Sequence, residues 1–192
     1  MKVTMNDVAK AAGVDKATVS RVMKGDPRIS EKTRVLVMES VRLLGYRPDL
    51  NARHLSTNRS GFIGLVLKDL NVMGGAAFIS GFDRALSNSE YDLLLKCTDG
   101  DPRRAAREFA KLGDRDIEGL VWEDSENLPK NISVPLLTIG FKSDVSISIV
   151  SEIGGGLMTF ETGALAGRLI LNAIMGRAVP SRDIIIRNSE GE

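Results

Sequence analysis

Between Thr4 and Gly45 apolar residues recur every three or four positions in three short runs, the period of helices with one buried side. In the first, Met5, Val8, Ala9 and Ala12 share a side, Thr4 and Asp7 stand at capping positions, and Gly13 ends the run. In the second, Asp15 caps, Val19, Val22 and Met23 turn inward, and Gly25 with Asp26 and Pro27 makes the stop. In the third, Ser30 caps, Val37, Val41 and Leu44 fall on one side, and Gly45 closes. The pattern predicts three helices around one small core. Residues 46–60, YRPDLNARHLSTNRS, break it at Pro48, and a helix capped by Asp49 would have only about two turns, too few to hold alone in water. This segment reads as a linker that becomes helical against a partner.

From Phe62 the period changes. FIGLVL, YDLLLKC, IEGLVWE and VPLLTIG are short apolar runs about 25 residues apart, closing up at the end, and helical patterns at 76–86 and 102–112 separate the first three. Continuous apolar runs alternating with helices predict a parallel sheet covered on both faces. An irregular stretch follows around SEIGGG, then a helix over 161–175 that buries Leu165, Leu169 and Ile170, then a β-rich tail, DIIIRN.

The formal charge of +1 hides an asymmetry. Residues 1–60 hold 12 Lys and Arg against 6 Asp and Glu, whereas the remainder holds 14 against 19. A basic head on a mildly acidic body points to a polyanion partner for the head. Charge alone leaves open a merely solvated basic face. Cys97 is the only cysteine, which leaves no internal disulfide framework and no thiolate metal cage; within YDLLLKC it reads as a small buried hydrophobe. The start, MKVTMNDVAK, lacks the apolar stretch of a secretory leader, and no run approaches the roughly 18 apolar residues of a membrane span. The expected address is the cytoplasm.

A helix, a turn at Gly13 and a second helix capped at Asp15 make a helix-turn-helix, whose second element lies in the DNA major groove. Lys16, Ala17, Ser20 and Arg21 occupy its outward side. Arg21 can grip guanine O6 and N7 together, Ser20 can bond either a base or a phosphate, and Ala17 can touch a thymine methyl. Thr18, Lys24, Arg28, Ser30 and Thr33 would then meet the sugar-phosphate backbone and fix register. An ordinary helical hairpin with a polar exterior is the alternative that the pattern by itself permits.

Residues 3–66 resemble the start of the LacI-type (lactose and purine repressor) family. The order DVA, AGV, TVSRV, KTR, LGYRP and AR-x-L is matched without a gap. The resemblance implies that Met5 and the helix after Asp15 approach the major groove, with Lys16, Ala17, Ser20 and Arg21 facing bases. It implies that Tyr46 and a hinge helix from Asp49 to Ser56 settle on the minor groove when two subunits meet. Leu55 matches the apolar wedge at the central base step, Ala52 the place where two hinge helices approach, and Arg53 joins the DNA-binding set. The family usually has Asn where Asp49 stands; a carboxylate near phosphates is unfavourable, although it also caps the hinge helix. His54 reads as a surface hinge residue.

In that family the body has two α/β lobes with a small effector between them. Residues 62–142 resemble the first lobe, and TFETGALAGRLILNAIMGRAVPSRDIIIRNSEGE resembles the end, where a helix returns to the same lobe. Nearly all of the second lobe is missing, and SEIGGG stands about where it would be inserted. The expected fold class is thus an all-α helix-turn-helix head (1–46), a hinge (47–60) and a single Rossmann-like α/β lobe (61–192) of the periplasmic-binding-protein N-subdomain type. DIIIRN would belong to the missing lobe, so it either adds an edge strand or stays loose. Effector-binding residues are not identifiable: one wall of the cleft is lost, and Val72, Met73, Gly74 and Gly75 replace the common Asn-Pro-Phe-Phe loop.

An enzyme reading finds little to stand on. No G-x-G-x-x-G follows a strand, Gly154 to Gly156 lacks a phosphate-cradling lysine, and the one His lies in the linker. Glu123, Asp124 and Glu126 read as a solvated loop, and Trp122 as core or a lobe-face contact. No catalytic residue, metal or cofactor is called for. The expectation is a sequence-specific transcriptional regulator, a repressor in first place, binding a pseudo-palindromic double-stranded operator as a homodimer, with no membrane partner. The rival is a truncated modulator that pairs with a full-length paralogous repressor.

Overall fold

The structure is a computed structural model, and it describes residues 3–47, 59–144, 147–151, 156–180 and 183–186. The chain divides into two compact units, Met1–Thr57 and Asn58–Glu192. Among its described residues the first contains three helices, α1 (Met5–Ala12), α2 (Lys16–Met23) and α3 (Glu31–Leu44). Their ends lie where the local signals put them. Thr4 and Asp7 form a reciprocal capping box on α1, Asp15 accepts the Thr18 amide at the start of α2, and Ser30 accepts that of Thr33 at the start of α3. Gly13 ends α1 at φ +65°, where its amide meets the Ala9 and Lys10 carbonyls and a Cβ would be strained.

The core of this unit is Val8, Ala9, Val19, Val22 and Val37, with Met5, Met23 and Val41 packed partly against it. Leu44 departs from expectation: it is 36 % exposed, and Tyr46 fills the position instead at 9 %. The reason is the turn at Gly45. The Tyr46 amide bonds back to the Val41 carbonyl at 3.0 Å, which swings the ring under the helix while Leu44 stays on the outer side.

The second unit is a six-stranded, all-parallel sheet in the order β2-β1-β3-β4-β5-β6. The strands are β1 (Phe62–Leu67), β2 (Asp92–Cys97), β3 (Gly119–Trp122), β4 (Leu136–Ile139), β5 (Ile147–Ser151) and β6 (Ile184–Ile186). Helices α4 (Gly75–Leu86) and α6 (Phe160–Ile174) cover one face, where Ile63, Leu65 and Leu67 of β1 meet Phe78, Phe82, Ala166 and Ile170. Helix α5 (Pro102–Gly113) covers the other, burying Val66, Leu120 and Trp122 against Ala105 and Leu112. The period-two alternation within β1 explains how one continuous apolar strand serves two cores.

Two strands exceed the four apolar runs. β5 is not legible as one because Ser148 interrupts ISIVS, yet Ser148 is buried, its hydroxyl 2.9 Å from that of Thr138 on the neighbouring strand. Ile184–Ile186 of the tail pairs parallel with Ile149–Ser151 and forms the sheet's edge, which decides between the two fates left open for DIIIRN. Lys142 Nζ lies 3.4 Å from Asp183 just ahead of it.

Candidate nucleic-acid interface

Helix α2 owes its orientation to one buried side. Val19 and Val22 are buried in the head's core, and at 3.6 residues per turn Lys16, Ala17, Ser20, Arg21 and Lys24 sweep an arc of about 140° on the other side. Lys16, Ala17, Arg21 and Lys24 are exposed and Ser20 is half-buried. Among the described residues no ion pair occupies Lys16, Arg21 or Lys24. The arc thus combines three exposed cations, a hydroxyl and a methyl, a donor-rich surface on a short helix.

The residues expected at the phosphates are differently placed. Thr18 donates its hydroxyl to Asp15 Oδ2 at 2.9 Å and its amide to Oδ1 at 2.7 Å, so its donors serve the cap. Arg28 is 82 % exposed at the side chain, but its Nε and Nη2 grip the two Asp26 oxygens at 3.0 and 2.7 Å. The hydroxyls of Ser30 and Thr33 lie 2.8 Å apart in the α3 cap. These four shape the loop and helix starts, and each keeps only its remaining valences for a ligand. Met5 is half-buried against the core, and Tyr46 is inside it. Asp49, Ala52, Arg53 and Leu55, with His54, lie outside the described residues.

Sequence reasoning missed the brace behind this arrangement. Arg34 Nη2 donates to the Asp26 carbonyl at 2.9 Å, tying the loop between α2 and α3 to α3 itself, and Asp26 also accepts the Arg28 amide at 3.0 Å. An Asp followed by Pro and Arg is an Asx-turn signal that marks half of it; the contact to Arg34, eight residues on, carries no local mark.

Three aspartates in the head have lowered pKa values. The hydroxyl of Thr4 and its amide lower Asp7, the amide and hydroxyl of Thr18 lower Asp15, and the Arg28 guanidinium holds Asp26 well below the ordinary value of 3.8. A depressed carboxylate contributes stability above its unfolded pKa and loses it as pH falls through the folded one. Head stability is therefore expected to be flat from neutrality to about pH 5 and to fall below about pH 4. Circular dichroism melts across that range check it, and Asp15→Ala should lower the melting temperature at pH 7 while flattening the acid slope. An acid slope as steep in that variant as in the parent would contradict the assignment.

In the second unit the acidic cluster follows the carboxyl end of β3; Glu126 is exposed as a solvated loop would have it, Glu123 is half-buried, and Asp124 departs from that expectation. Asp124 is 0 % exposed; it accepts from the Thr98 hydroxyl and from Asn127 Nδ2 at 2.9 Å, while its carbonyl takes the Trp122 indole N–H at 2.7 Å. Glu123 accepts the Lys68 amide at 2.7 Å and Glu126 pairs with Lys68 Nζ at 2.9 Å. Lys68 and Thr98, which follow β1 and β2, thus supply donors to this loop, while the buried Asp124 Oδ1 has no hydrogen-bond partner among the described residues. Cys97 is buried as expected, and burial raises its thiol pKa. Trp122 is core, meeting Phe109 edge-on at 6.3 Å. Among the described residues no His, Cys, Asp and Glu group could hold a metal ion, and no helix is long and apolar enough to cross a membrane.

Comparison with known proteins converges on one group. Residues 4–49 match the family of bacterial regulatory proteins, lacI family. The chain is 30 % identical over 158 residues to catabolite control protein A of Staphylococcus xylosus, covering 79 % of this chain and 48 % of that protein. It is 29 % identical over 168 residues to the HTH-type transcriptional regulator DegA of Bacillus subtilis (strain 168), covering 81 % and 50 %. It spans about half the length of the curated relatives it matches. A crystal structure of the lac repressor dimer bound to operator and an anti-inducer superposes with a TM-score of 0.64 at 19 % identity, covering 96 % of this chain and 66 % of that one. At that identity the likeness establishes the fold: helix-turn-helix helices plus a parallel-sheet α/β lobe.

Proposed function

The chain belongs, through residues 4–49, to the lacI family of bacterial regulatory proteins, and from that premise we propose that it is a sequence-specific transcriptional regulator, acting as a repressor on a pseudo-palindromic operator. The observation that carries this reading is the outward arc of α2, where Lys16, Ala17 and Arg21 are exposed and Ser20 half-buried on a helix anchored from behind by Val19 and Val22. Arg21 reads guanine, Ser20 and Ala17 read or touch adjacent bases, Lys16 and Lys24 bind flanking phosphates, and Leu55 wedges the central step. The assigned domains are the head, the hinge and the single lobe, working in the cytoplasm. The reading assigns no catalysis and leaves a small-molecule effector unassigned: at the carboxyl ends of the strands Lys68 pairs with Glu126 and Arg104 with Asp99, whereas the buried Asp124 Oδ1 has no hydrogen-bond partner among the described residues.

A homodimer supplies two heads. β2 lies at the sheet's edge with Leu95 36 % exposed, and an open edge strand favours pairing with another chain. Two heads on a symmetric site double the phosphate contacts and steepen the salt dependence. Selection of the intact protein on randomised duplexes, followed by footprinting across a salt series and sedimentation, tests the proposal. The expected result is an enriched two-fold motif bound by a dimer. A monomer that enriches nothing alone but binds specifically once a full-length paralogue is added would replace the repressor reading with that of a modulator.

A further inference from the structure

The loop between α2 and α3 carries a guanidinium that stands in solvent and is nevertheless held in one direction. Asp26 Oδ1 accepts Nε of Arg28 at 3.0 Å and Oδ2 accepts Nη2 at 2.7 Å, while Oδ1 also takes the Arg28 amide at 3.0 Å. The side chain of Asp26 is 13 % exposed and that of Arg28 82 %, so the carboxylate is the base and the guanidinium the projecting part. The base is itself tied to both helices. The Asp26 amide donates to the carbonyl of Arg21, in the last turn of α2, at 3.0 Å, and the Asp26 carbonyl accepts Nη2 of Arg34, from α3, at 2.9 Å. Gly25, at φ +72°, lets the chain turn, and the ring of Pro27 stiffens it on the other side. The Arg28 guanidinium keeps the Asp26 carboxylate ionised, with a smaller contribution from that of Arg21, so two arginines stand around one acid at the carboxyl end of α2.

A guanidinium has two edges that each offer a pair of parallel N–H donors. Asp26 occupies the edge made by Nε and Nη2; the end-on edge, made by Nη1 and the second hydrogen of Nη2, has no partner among the described residues. The pairing changes what that edge binds best. It compensates the charge, which weakens the pull of phosphates. It also fixes the rotamer, so freedom that an unpaired arginine would lose on binding is already lost. A charge-compensated, directed pair of donors suits guanine, whose O6 and N7 accept two parallel bonds, better than the DNA backbone, where charge counts for more than direction. We infer that Arg28, held by Asp26, is a second guanine-reading residue beside Arg21, in place of the phosphate contact expected of it, and that Asp26 is its positioning residue. The inference rests on the reading of the chain as a sequence-specific DNA-binding protein, and it involves the head alone.

The test uses the intact protein in selection on randomised duplexes, followed by affinities for single-base variants of the enriched half-site. The parent should show two guanines whose replacement costs about tenfold or more each, one preference vanishing in Arg21→Ala and the other in Arg28→Ala. Arg28→Lys should lose the same guanine as Arg28→Ala, since an ammonium cannot make two parallel bonds. Asp26→Asn keeps one acceptor and loses the charge and the two-point grip. In that variant the preference at the Arg28 guanine should drop to about threefold or less and that at the Arg21 guanine should stay. Its binding to random duplex should rise about threefold, with the salt slope steeper by about one, because Arg28 becomes an uncompensated cation. A merely structural role for Asp26 would instead weaken binding to every sequence. If Asp26→Asn does not fold, Arg28→Ala, which removes an exposed side chain, decides the point. Equal weakening on all sequences in Arg28→Ala, or an unchanged preference in folded Asp26→Asn, overturns the inference. A parent motif with the Arg21 guanine alone overturns it too and leaves the regulator reading standing, whereas a parent that enriches nothing overturns both.

Discussion

Gly163→Ala is expected to destabilise the α/β unit severely. Helices α4 and α6 cross backbone to backbone: a Cβ on Gly163 would stand 2.0 Å from the Phe78 carbonyl oxygen and 3.0 Å from its Cα, and a Cβ on Gly81 would stand 2.0 Å from the Phe160 carbonyl oxygen. One turn on, a Cβ at Gly167 would be 2.6 Å from that of Ala85. Backbone atoms cannot rotate aside, so the added methyl forces the helices apart and opens the core in which Phe78, Phe82 and Ile170 are packed. Helix propensity works the other way, by about 1 kcal/mol in favour of alanine. Separation of two buried helices should cost about 4 kcal/mol or more, a large share of the roughly 5–15 kcal/mol that typically hold a domain together. Trp122, the single and fully buried tryptophan, reports the result: its emission should move to that of a solvated indole at a melting temperature about 10 °C or more below the parent's. Gly113→Ala, where the new methyl meets nothing within 4 Å, is the control and should melt with the parent or slightly above it. A cooperative melt of Gly163→Ala within a few degrees of the parent would refute the close crossing.

Arg21→Ala should weaken binding to the selected operator about 10- to 100-fold, the roughly 1–3 kcal/mol of a bidentate contact to guanine, while binding to random duplex falls little. Arg21 is exposed and beside Ser20, and its nearest electrostatic influence is a weak one on Asp26, so its removal leaves the head's fold intact. Lys24→Ala gives the contrast: a uniform loss on all sequences, with the salt slope reduced by about one. Arg21→Lys should behave much like the alanine variant, because an ammonium cannot reproduce the planar two-point contact. Equal losses for Arg21→Ala on operator and random DNA would remove Arg21 from the base-reading set and return it to the phosphates.

The head was nearly complete in its sequence because its signals are short. Thr4 with Asp7, Asp15 with Thr18 and Ser30 with Thr33 are each three residues apart, and glycine marks two of the three helix ends. Even so, four residues expected at phosphates, Thr18, Arg28, Ser30 and Thr33, spend donors within the head, since a polar residue next to a helix start satisfies that helix before any ligand. The brace from Arg34 to the Asp26 carbonyl was invisible because nothing local distinguishes that arginine from an exposed one.

By itself the sequence determined the three capped helices, the outward placement of Lys16, Ala17, Ser20 and Arg21, the four apolar strands and the alternation that makes their sheet parallel, since each depends on spacing within a few residues. The tertiary structure alone decided that Tyr46 and not Leu44 closes the head's core, that the serine-broken ISIVS is a buried strand and the tail its edge partner, and that Asp124 is sealed from water. It alone placed α4 against α6, and Glu118 against residues 57 and 27 positions away. Burial and pairing at such positions are properties of the neighbour that folding supplies, and a side chain 57 residues distant leaves no periodic trace in the chain that it will meet.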